Sequence, residues 1–178
     1  MMLRPPEVWL ITGIPGAGKT TVARALAGQL ERAAHIEGEA LWGQIVSGRE
    51  RPAPALEGES ERQYELTVRN QCLLARSYAE AEFTPVLDFV VVTQFHLDAY
   101  RNYLMGARLH LVALAPSLEV VARRDRERGG KTGDTWNHLD ATFREELAGR
   151  GLWLDTSDLD VDATVEAILA RRDEALLR

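Results

Sequence analysis

The segment at positions 13–20 constrains this chain more than any other feature, because it reads GIPGAGKT and matches the pattern G-x-x-x-x-G-K-[ST]. A short apolar, β-prone run at 8–12 precedes it, and residues 21–30 after it have apolar side chains at helical spacing. Glycines let successive backbone N–H groups turn around a phosphate, and the helix N-terminus adds the positive end of its dipole. This strand–loop–helix pattern therefore predicts a phosphate loop that binds a nucleoside triphosphate.

Two residues of the loop have a predicted chemical role. Lys19 is expected to reach the β- and γ-phosphates, and the Thr20 hydroxyl is expected to bind Mg²⁺. ATP and Mg²⁺ are the cofactors that the pattern implies. The residues predicted to contact the nucleotide along this segment are Gly13, Pro15, Gly16, Ala17, Gly18, Lys19, Thr20 and Thr21.

Length and charge limit the remaining possibilities. A chain of 178 residues with 46% hydrophobic residues is long enough for one packed domain, so we expect a single domain over 1–178. The formal net charge of −6 disfavours a broad nucleic-acid-binding face, so no nucleic-acid partner is expected. Monomer and homodimer both stay open.

The sequence offers no disulfide framework and no membrane span. Its one cysteine, Cys72, lies on a helical pattern among apolar residues and is expected to be a buried, inert thiol. No apolar stretch approaches the 18 residues that a spanning helix needs, and no signal peptide precedes the loop. A cytoplasmic location without membrane contact is the resulting expectation.

Strand and helix patterns alternate along the chain. Apolar, β-prone runs are predicted as strands at 8–12, 34–37, 85–92, 109–115 and 152–154. Helical patterns lie between and after them, at 21–30, 40–47, 60–82, 97–105, 116–128, 136–148 and beyond Asp160. Such alternation predicts an α/β fold with three layers, in which helices cover both faces of a five-stranded parallel sheet.

Two acidic positions are expected to face the γ-phosphate, because ligands of such sheets bind outside the carboxyl ends of the strands. Glu39, in the turn Glu37-Gly38-Glu39, could take the proton from an acceptor hydroxyl as that oxygen attacks a γ-phosphorus. The alternative is a solvated acidic turn. Asp88 lies within an apolar run, where a carboxylate is costly unless it is paired, and Mg²⁺ is its natural partner beside a phosphate loop. The alternative is a buried Asp satisfied by backbone N–H groups.

Two later segments are further candidates. Arg124 and Arg128 share one helical face before Gly129-Gly130, so they could close over the transferring phosphates, with Lys131 just beyond. A surface helix with Arg–Glu pairs is the alternative. Thr156 lies in the turn after the last strand, near the expected nucleotide base, although its sequence is also ordinary turn chemistry.

Together these residues resemble the small-molecule kinases of the phosphate-loop superfamily, with chloramphenicol phosphotransferase, gluconate kinase and shikimate kinase as the nearest groups. The resemblance covers nearly the whole chain, and its motifs lie at 13–20, 37–39, 86–89, 124–128 and 154–157. In those families the second motif usually reads Asp-Gly-Asp, whereas both acids here are glutamate, which moves the carboxylate by roughly 1–1.5 Å.

The resemblance implies a phosphate-loop NTPase fold with a helical lid at about 124–137, and transfer of the ATP γ-phosphate to a hydroxyl of a small-molecule acceptor. The catalytic residues that it implies are Lys19, Glu39, Asp88, Arg124 and Arg128. Thr20 and Asp88 would hold the metal, and Arg124 and Thr156 would also contact the nucleotide.

The acceptor itself is not specified by the sequence. Its pocket is expected between residues 39–64 and 94–101, and the candidate walls are Trp42, Tyr64, Gln94, Arg101 and Trp136. His138 is interpreted as a surface histidine. A nucleoside or nucleotide kinase and a nucleotide-binding switch with slow ATP hydrolysis are the alternatives, whereas a GTPase lacks support because no Asn-Lys-x-Asp motif occurs.

Overall fold

The computed structural model describes residues 5–50, 57–127, 129 and 138–178. Within these residues strands and helices alternate as the sequence predicts. The strands are β1 (Glu7–Thr12), β2 (Ala33–Glu37), β3 (Thr84–Asp88), β4 (Arg108–Leu114) and β5 (Leu152–Leu154). The helices are α1 (Lys19–Gln29), α2 (Gly38–Gly43), α3 (Glu59–Glu80), α4 (Gln94–Tyr103), α5 (Leu118–Glu127), α6 (His138–Glu146), α7 (Val161–Ala170) and α8 (Arg172–Ala175).

The five strands form one parallel sheet in the order β2-β3-β1-β4-β5. Helix α1 packs on β1, β2 and β3 and against α7, whereas α3 packs on β2 and β3 and against α4. The three-layer α/β fold predicted from the sequence, with a five-stranded parallel sheet, is thereby confirmed.

The central strands form the core of the molecule. Every residue of β1 after Glu7 and every residue of β4 after Arg108 is buried. Strands covered on both faces read as continuous apolar runs, because neither side of the strand meets water. That is why these two strands were clear from the sequence.

Strand β3 is shorter than predicted. The apolar run suggested a strand over 85–92, but pairing ends at Asp88. Beyond that point the side chain of Thr12, the last residue of β1, replaces the main-chain pairing. Its Oγ1 accepts from the N–H of Val91 at 2.9 Å and donates to the Val91 carbonyl at 2.8 Å. Phe89, Val91 and Val92 are therefore buried without belonging to a strand.

Helix boundaries also differ at α4, which begins at Gln94 rather than near residue 97. Thr93 caps this helix, because its hydroxyl accepts from the N–H of His96 at 3.2 Å. The short helix α8 was not predicted.

Other expectations have different outcomes. Cys72 is buried, and burial raises the pKa of its thiol to about 12, as expected for an inert thiol. No helix in the described part of the chain is long and apolar enough to cross a membrane. Most of the predicted lid at 124–137, including Arg128 and Lys131, lies outside the described residues.

Candidate functional site

The phosphate loop connects β1 to α1 at the carboxyl edge of the sheet. Gly13 has a φ of 149°, and a Cβ at this position would lie 2.6 Å from the main-chain oxygen of Leu114. Only glycine fits this close approach between the loop and β4. The loop also closes on itself, because the N–H of Ala17 donates to the carbonyl of Ile14 at 3.1 Å.

Lys19 is the first residue of α1 and is buried, with only 7% of its surface exposed. Its Nζ donates to the carbonyl of Ile14 at 3.2 Å. The ammonium group therefore lies against the loop that would surround a phosphate. An ammonium in this position adds a full positive charge to the partial charges of the loop N–H groups.

Asp88 lies beside the loop, as the sequence predicts. It is paired in the sheet with Ile11 of β1 and with Glu37 of β2, so three neighbouring strands bring these positions to one edge. Its carboxylate is buried, and its Oδ2 accepts a hydrogen bond from Thr20 Oγ1 at 2.7 Å. The two residues proposed to hold the metal are therefore in direct contact.

The donor set formed by Thr20 and Asp88 fits Mg²⁺. This ion prefers oxygen ligands, is bound through one or two carboxylates plus substrate phosphates, and keeps several waters. A hydroxyl oxygen and a carboxylate oxygen beside a phosphate loop satisfy that preference. Among the described residues, no group of three His, Cys, Asp or Glu residues forms a metal cage, which such a site does not require.

His35 also contacts Asp88, and sequence reasoning missed it. Its ring Nε2 lies 2.6 Å from Asp88 Oδ1, with 13% of its side chain exposed. A histidine within the predicted strand 34–37 was the available signal, and it becomes meaningful only once β2 is known to pair with β3.

The main chain of Asp88 is fixed from the opposite side by α3. The Nε2 of Gln71 donates to the carbonyls of Ile36 at 2.6 Å and of Asp88 at 3.1 Å. Gln71 Oε1 in turn accepts from the hydroxyl of Tyr100, whose pKa is raised well above its usual value by burial. This buried network joins β2 to the last residue of β3, Asp88, and it was not predicted.

The turn at 37–39 lies next to the acid. Gly38 opens α2 and packs against Phe89, because a Cβ at Gly38 would lie 2.5 Å from an atom of the Phe89 ring. Glu37 is half-buried at the end of β2, whereas Glu39 is exposed in the first turn of α2. An exposed carboxylate at this edge has access to a ligand, as the role predicted for Glu39 requires.

A cavity of about 350 Å³ lies on the α7 side of the phosphate loop. Arg124 lies over it, donating from Nη1 to the carbonyl of Ala17 at 3.3 Å and from Nη2 to the carbonyl of Thr156 at 2.9 Å. The Thr156 hydroxyl is buried without a hydrogen-bond partner among the described residues. The lining residues are Ala17, Gly18, Thr21, Val22, Arg124, Glu127, Thr156, Leu159, Asp160, Val161 and Thr164.

The structure thus brings five predicted nucleotide contacts to one cavity: Ala17, Gly18, Thr21, Arg124 and Thr156. Its volume suits a ligand group of the size of a nucleobase with its sugar. That these residues bind a nucleotide stays a prediction. The lining is completed by Val22, Glu127, Leu159, Asp160 and the first turn of α7, which were not predicted to contact the nucleotide.

The predicted acceptor side contains a compact aromatic cluster, formed by Trp42, Tyr64, Phe89 and His96. The ring centroid of Tyr64 lies 5.0 Å from that of Phe89 and 4.3 Å from that of His96. The Tyr64 hydroxyl donates to the carbonyl of Val90 at 2.9 Å, and burial raises the pKa of that phenol. Tyr64 therefore supports the wall rather than presenting its hydroxyl to a ligand.

Three polar atoms at this cluster and the adjoining first turn of α4 are buried without a hydrogen-bond partner among the described residues. They are Trp42 Nε1, Gln94 Oε1 and His96 Nδ1. Burial lowers the pKa of His96 to about 4, partly offset by the nearby carboxylate of Glu146, so the imidazole is neutral at pH 7. Buried polar groups usually have a partner in the protein or an ordered water.

Two of the predicted acceptor walls have different outcomes. The prediction that Arg101 lines the acceptor pocket is wrong. Its guanidinium donates to the main-chain oxygen of Arg178, and the N–H of the neighbouring Leu177 donates to the carbonyl of Leu109 near the start of β4. Arg101 therefore lies toward the edge of the sheet at which the strands begin. It lies seven positions after Gln94, the first residue of α4, which places it about two helical turns from the acceptor side. Trp136 lies outside the described residues, as does the catalytic candidate Arg128.

Comparison with known protein families identifies the type of domain. A sequence model of the AAA domain family matches residues 8–152, which include the phosphate loop and all five strands in whole or in part. A search of curated proteins found no significant match.

Solved structures share this fold over nearly the whole chain. A sugar kinase from Janibacter sp. HTCC2649 superposes with a TM-score of 0.71 at 19% identity, covering 96% of each chain. A gluconokinase from Sinorhizobium meliloti 1021 gives a TM-score of 0.68 at 22% identity, over 96% of this chain and 94% of that chain. The APS kinase of Mycobacterium tuberculosis gives 0.72 at 17% identity, over 96% and 99%.

These neighbours confirm the resemblance that the motifs predict. At such identities the likeness establishes the fold, and the structures that share it include phosphate-loop kinases of small molecules. The acceptor of this chain has to be argued from its own residues.

Proposed function

The chain belongs to the AAA domain family of phosphate-loop proteins, and from its site we propose that it is an ATP- and Mg²⁺-dependent phosphotransferase acting on a hydroxyl group of a small molecule. The kinases that share its fold support this proposal at the level of reaction class. The individual roles rest on the contacts described above.

One observation carries the proposal: Thr20 donates to Asp88 at 2.7 Å across 68 positions of sequence. The contact joins the last residue of the phosphate loop to the acid that ends β3. Mg²⁺, when bound, would neutralise charge on the β- and γ-phosphate oxygens. Thr20 and Asp88 would hold it, while Lys19 and the loop N–H groups bind the phosphates themselves.

Glu39 is the better candidate for the base. Both oxygens of Asp88 already have hydrogen-bond partners, Thr20 and His35, so an acceptor hydroxyl would have to displace one of them. Glu39 is exposed at the same edge. In the proposed step the acceptor oxygen attacks the γ-phosphorus, the bond from that phosphorus to the β–γ bridging oxygen breaks, Glu39 takes the hydroxyl proton, and ADP leaves.

Arg124 was predicted to act both on the nucleotide and on the transferring phosphoryl group. Its two hydrogen bonds to carbonyls of the cavity favour the nucleotide role, because they hold the guanidinium beside Ala17 and Thr156. Charge stabilisation by Arg128 stays a prediction.

The acceptor would bind on the α2 and α4 side, next to Asp88 and Glu39. The unpartnered polar atoms of Trp42, Gln94 and His96 offer it a donor, an acceptor and a neutral imidazole. Apolar faces of Phe89 and Trp42 would cover its carbon atoms. A small compound with several hydroxyl groups matches this combination of groups.

The proposal is tested by measuring ADP release with a panel of sugars, sugar acids, aminoglycoside and chloramphenicol-type antibiotics, shikimate-like alcohols and nucleosides. We expect at least one acceptor to raise the Mg²⁺-dependent rate above hydrolysis, and Lys19→Ala to abolish that increase. Glu39→Gln should lower kcat with little change in ATP affinity, because it removes only the base.

Arg24→Ala is the matched control, since Arg24 is exposed on the same helix as Lys19. Full activity of Lys19→Ala would contradict the whole scheme. Full activity of Glu39→Gln would contradict only the assignment of Glu39 as the base, and that role would then pass to Asp88. A response to nucleosides alone would favour the nucleoside kinase alternative.

A further inference from the structure

The carboxylate of Asp88 is held at both ends by different partners. Thr20 Oγ1 donates to Oδ2 at 2.7 Å, and His35 Nε2 lies 2.6 Å from Oδ1. Asp88 is 2% exposed, so water contributes little to its alignment. The orientation of this acid therefore depends on two side chains that come from opposite sides, the phosphate loop and β2.

These two partners have different relations to the proposed metal. Thr20 is the hydroxyl that the loop motif provides for Mg²⁺, and a hydroxyl oxygen can bind an ion through a lone pair while its O–H still donates to Asp88 Oδ2. Thr20 and Oδ2 therefore both belong to the metal side of the carboxylate. His35 contacts the other oxygen, Oδ1, and is not itself a proposed metal ligand.

We propose that His35 is a positioning residue, which fixes Asp88 through Oδ1 so that Oδ2 stays directed toward the Mg²⁺–triphosphate. The inference rests on the proposed metal-holding role of Asp88 but not on the identity of the acceptor. Hydrogen-bonded partners behind a metal ligand commonly act in this way, and their loss lowers metal affinity or activity by about 10- to 100-fold.

The strand register explains why His35 can reach the acid. His35 pairs with Val86, and Glu37 pairs with Asp88, so His35 lies two residues before the partner of Asp88. Side chains alternate between sheet faces, which puts His35 and Asp88 on the same face in diagonal positions. An imidazole is long enough to span this diagonal, and the observed 2.6 Å contact is the result.

The neighbouring network leaves this task to His35. Gln71, which accepts a hydrogen bond from Tyr100, donates to the main-chain carbonyl of Asp88 and not to its carboxylate. This contact fixes the main chain at the end of β3. Rotation of the Asp88 side chain is restricted instead by its two carboxylate partners, Thr20 and His35. A change at His35 should thus alter the direction of the acid while the strand itself stays in place.

The test separates metal-dependent from metal-independent binding of a non-hydrolysable ATP analogue by titration calorimetry. In His35→Leu, we expect affinity with Mg²⁺ to fall by about 10- to 100-fold and affinity in EDTA to stay within about twofold. His35→Gln places an amide N–H close to the position of Nε2, so it should restore most of the Mg²⁺-dependent affinity.

Another histidine of the same sheet gives a matched control pair. His110 is buried in β4, and its Nδ1 contacts the carbonyl of Arg172 at the far edge of the sheet. Neither His110→Leu nor His110→Gln should change the ratio of affinities with and without Mg²⁺, whatever their effect on thermal stability. If His35→Leu does not fold, His35→Asn replaces it, because its shorter side chain cannot reach Asp88.

Equal losses of affinity with and without Mg²⁺, or no loss in either, would overturn the proposal and leave His35 a purely structural residue. Asp88→Asn separates this result from a failure of the proposed function. If that variant binds the Mg²⁺ complex normally, Asp88 does not hold the metal and the assignment beneath the proposal is wrong. Binding of the analogue needs no acceptor, so an unsuccessful acceptor screen does not affect the result.

Discussion

His96 is a buried imidazole in aromatic surroundings. It packs against Tyr64, contacts Phe95 at a centroid distance of 5.7 Å, and has a pKa lowered by burial to about 4. The unfolded chain binds a proton at the ordinary histidine pKa of about 6.5. Between these values the unfolded state therefore holds more protons than the folded state, and acid favours unfolding.

This difference predicts that the free energy of unfolding falls as the pH decreases from about 6.5 to 4. His96→Phe keeps an aromatic ring but cannot be protonated, so it should reduce the loss between pH 7 and pH 5 by at most about 2 kcal/mol. Urea unfolding at both pH values measures this loss. His110, whose pKa burial also lowers, contributes in both proteins and cancels in the comparison. Equal losses in the two proteins would show that His96 is not the group responsible.

At the scale of elements, helix α3 ends in a Schellman motif at a residue that is not glycine. Glu82 has a φ of 64°, its N–H donates to the carbonyl of Ala79, and the next N–H, of Phe83, donates to the carbonyl of Tyr78. The rings of Tyr78 and Phe83 make the accompanying apolar contact, at 6.2 Å between centroids. The ion pair of Glu82 with Arg32 is exposed, so the Glu82 side chain contributes little to the free energy of unfolding.

Glu82→Gly should therefore stabilise the protein by about 1 kcal/mol, because glycine adopts this conformation without strain. For a chain of this length that corresponds to an increase in Tm of about 2–4 °C. Glu82→Ala is the control, since it removes the ion pair but keeps the strain, and it should give no increase. Thermal unfolding of the three proteins measures the effect, and a glycine variant that melts at or below the wild type would contradict it.

Local patterns predicted most elements but not where some of them end. The apolar run at 85–92 was read as one strand, because sequence shows burial and not the partner that a strand bonds to. Whether β3 continues past Asp88 depends on where β1 stops and on the Thr12 side chain, which bonds to Val91 across 79 positions of sequence. His35 was missed for the same reason, since its role depends on pairing with a strand about 50 residues later.

At the scale of the whole molecule, strand order creates the site. Because β3 and β4 flank β1, the phosphate loop leaves the sheet between the strand that carries Asp88 and the strand that leads to α5 and Arg124. The loop and Asp88 could be predicted, because a motif and a carboxylate in an apolar run are local signals. The acceptor side could not, because Trp42, Gln94 and His96 come together only through the packing of α2, α3 and α4.

The proposed function assigns binding to two separate regions of the molecule. The cavity lined by Arg124 and Thr156 is proposed for the nucleotide, and the aromatic cluster with its unpartnered polar atoms is proposed for the acceptor. A protein that only bound and slowly hydrolysed ATP would need the first region and not the second. The central claim is therefore transfer between the two regions.

Transfer of labelled phosphate from [γ-³²P]ATP to a mixture of small hydroxyl compounds tests this claim most directly. We predict Mg²⁺-dependent label in a phosphorylated small molecule, formed in amounts equal to ADP and absent with Lys19→Ala. Label that appears only as inorganic phosphate, at a slow rate that no compound increases although ATP binds tightly, would contradict the account and favour a nucleotide-dependent switch.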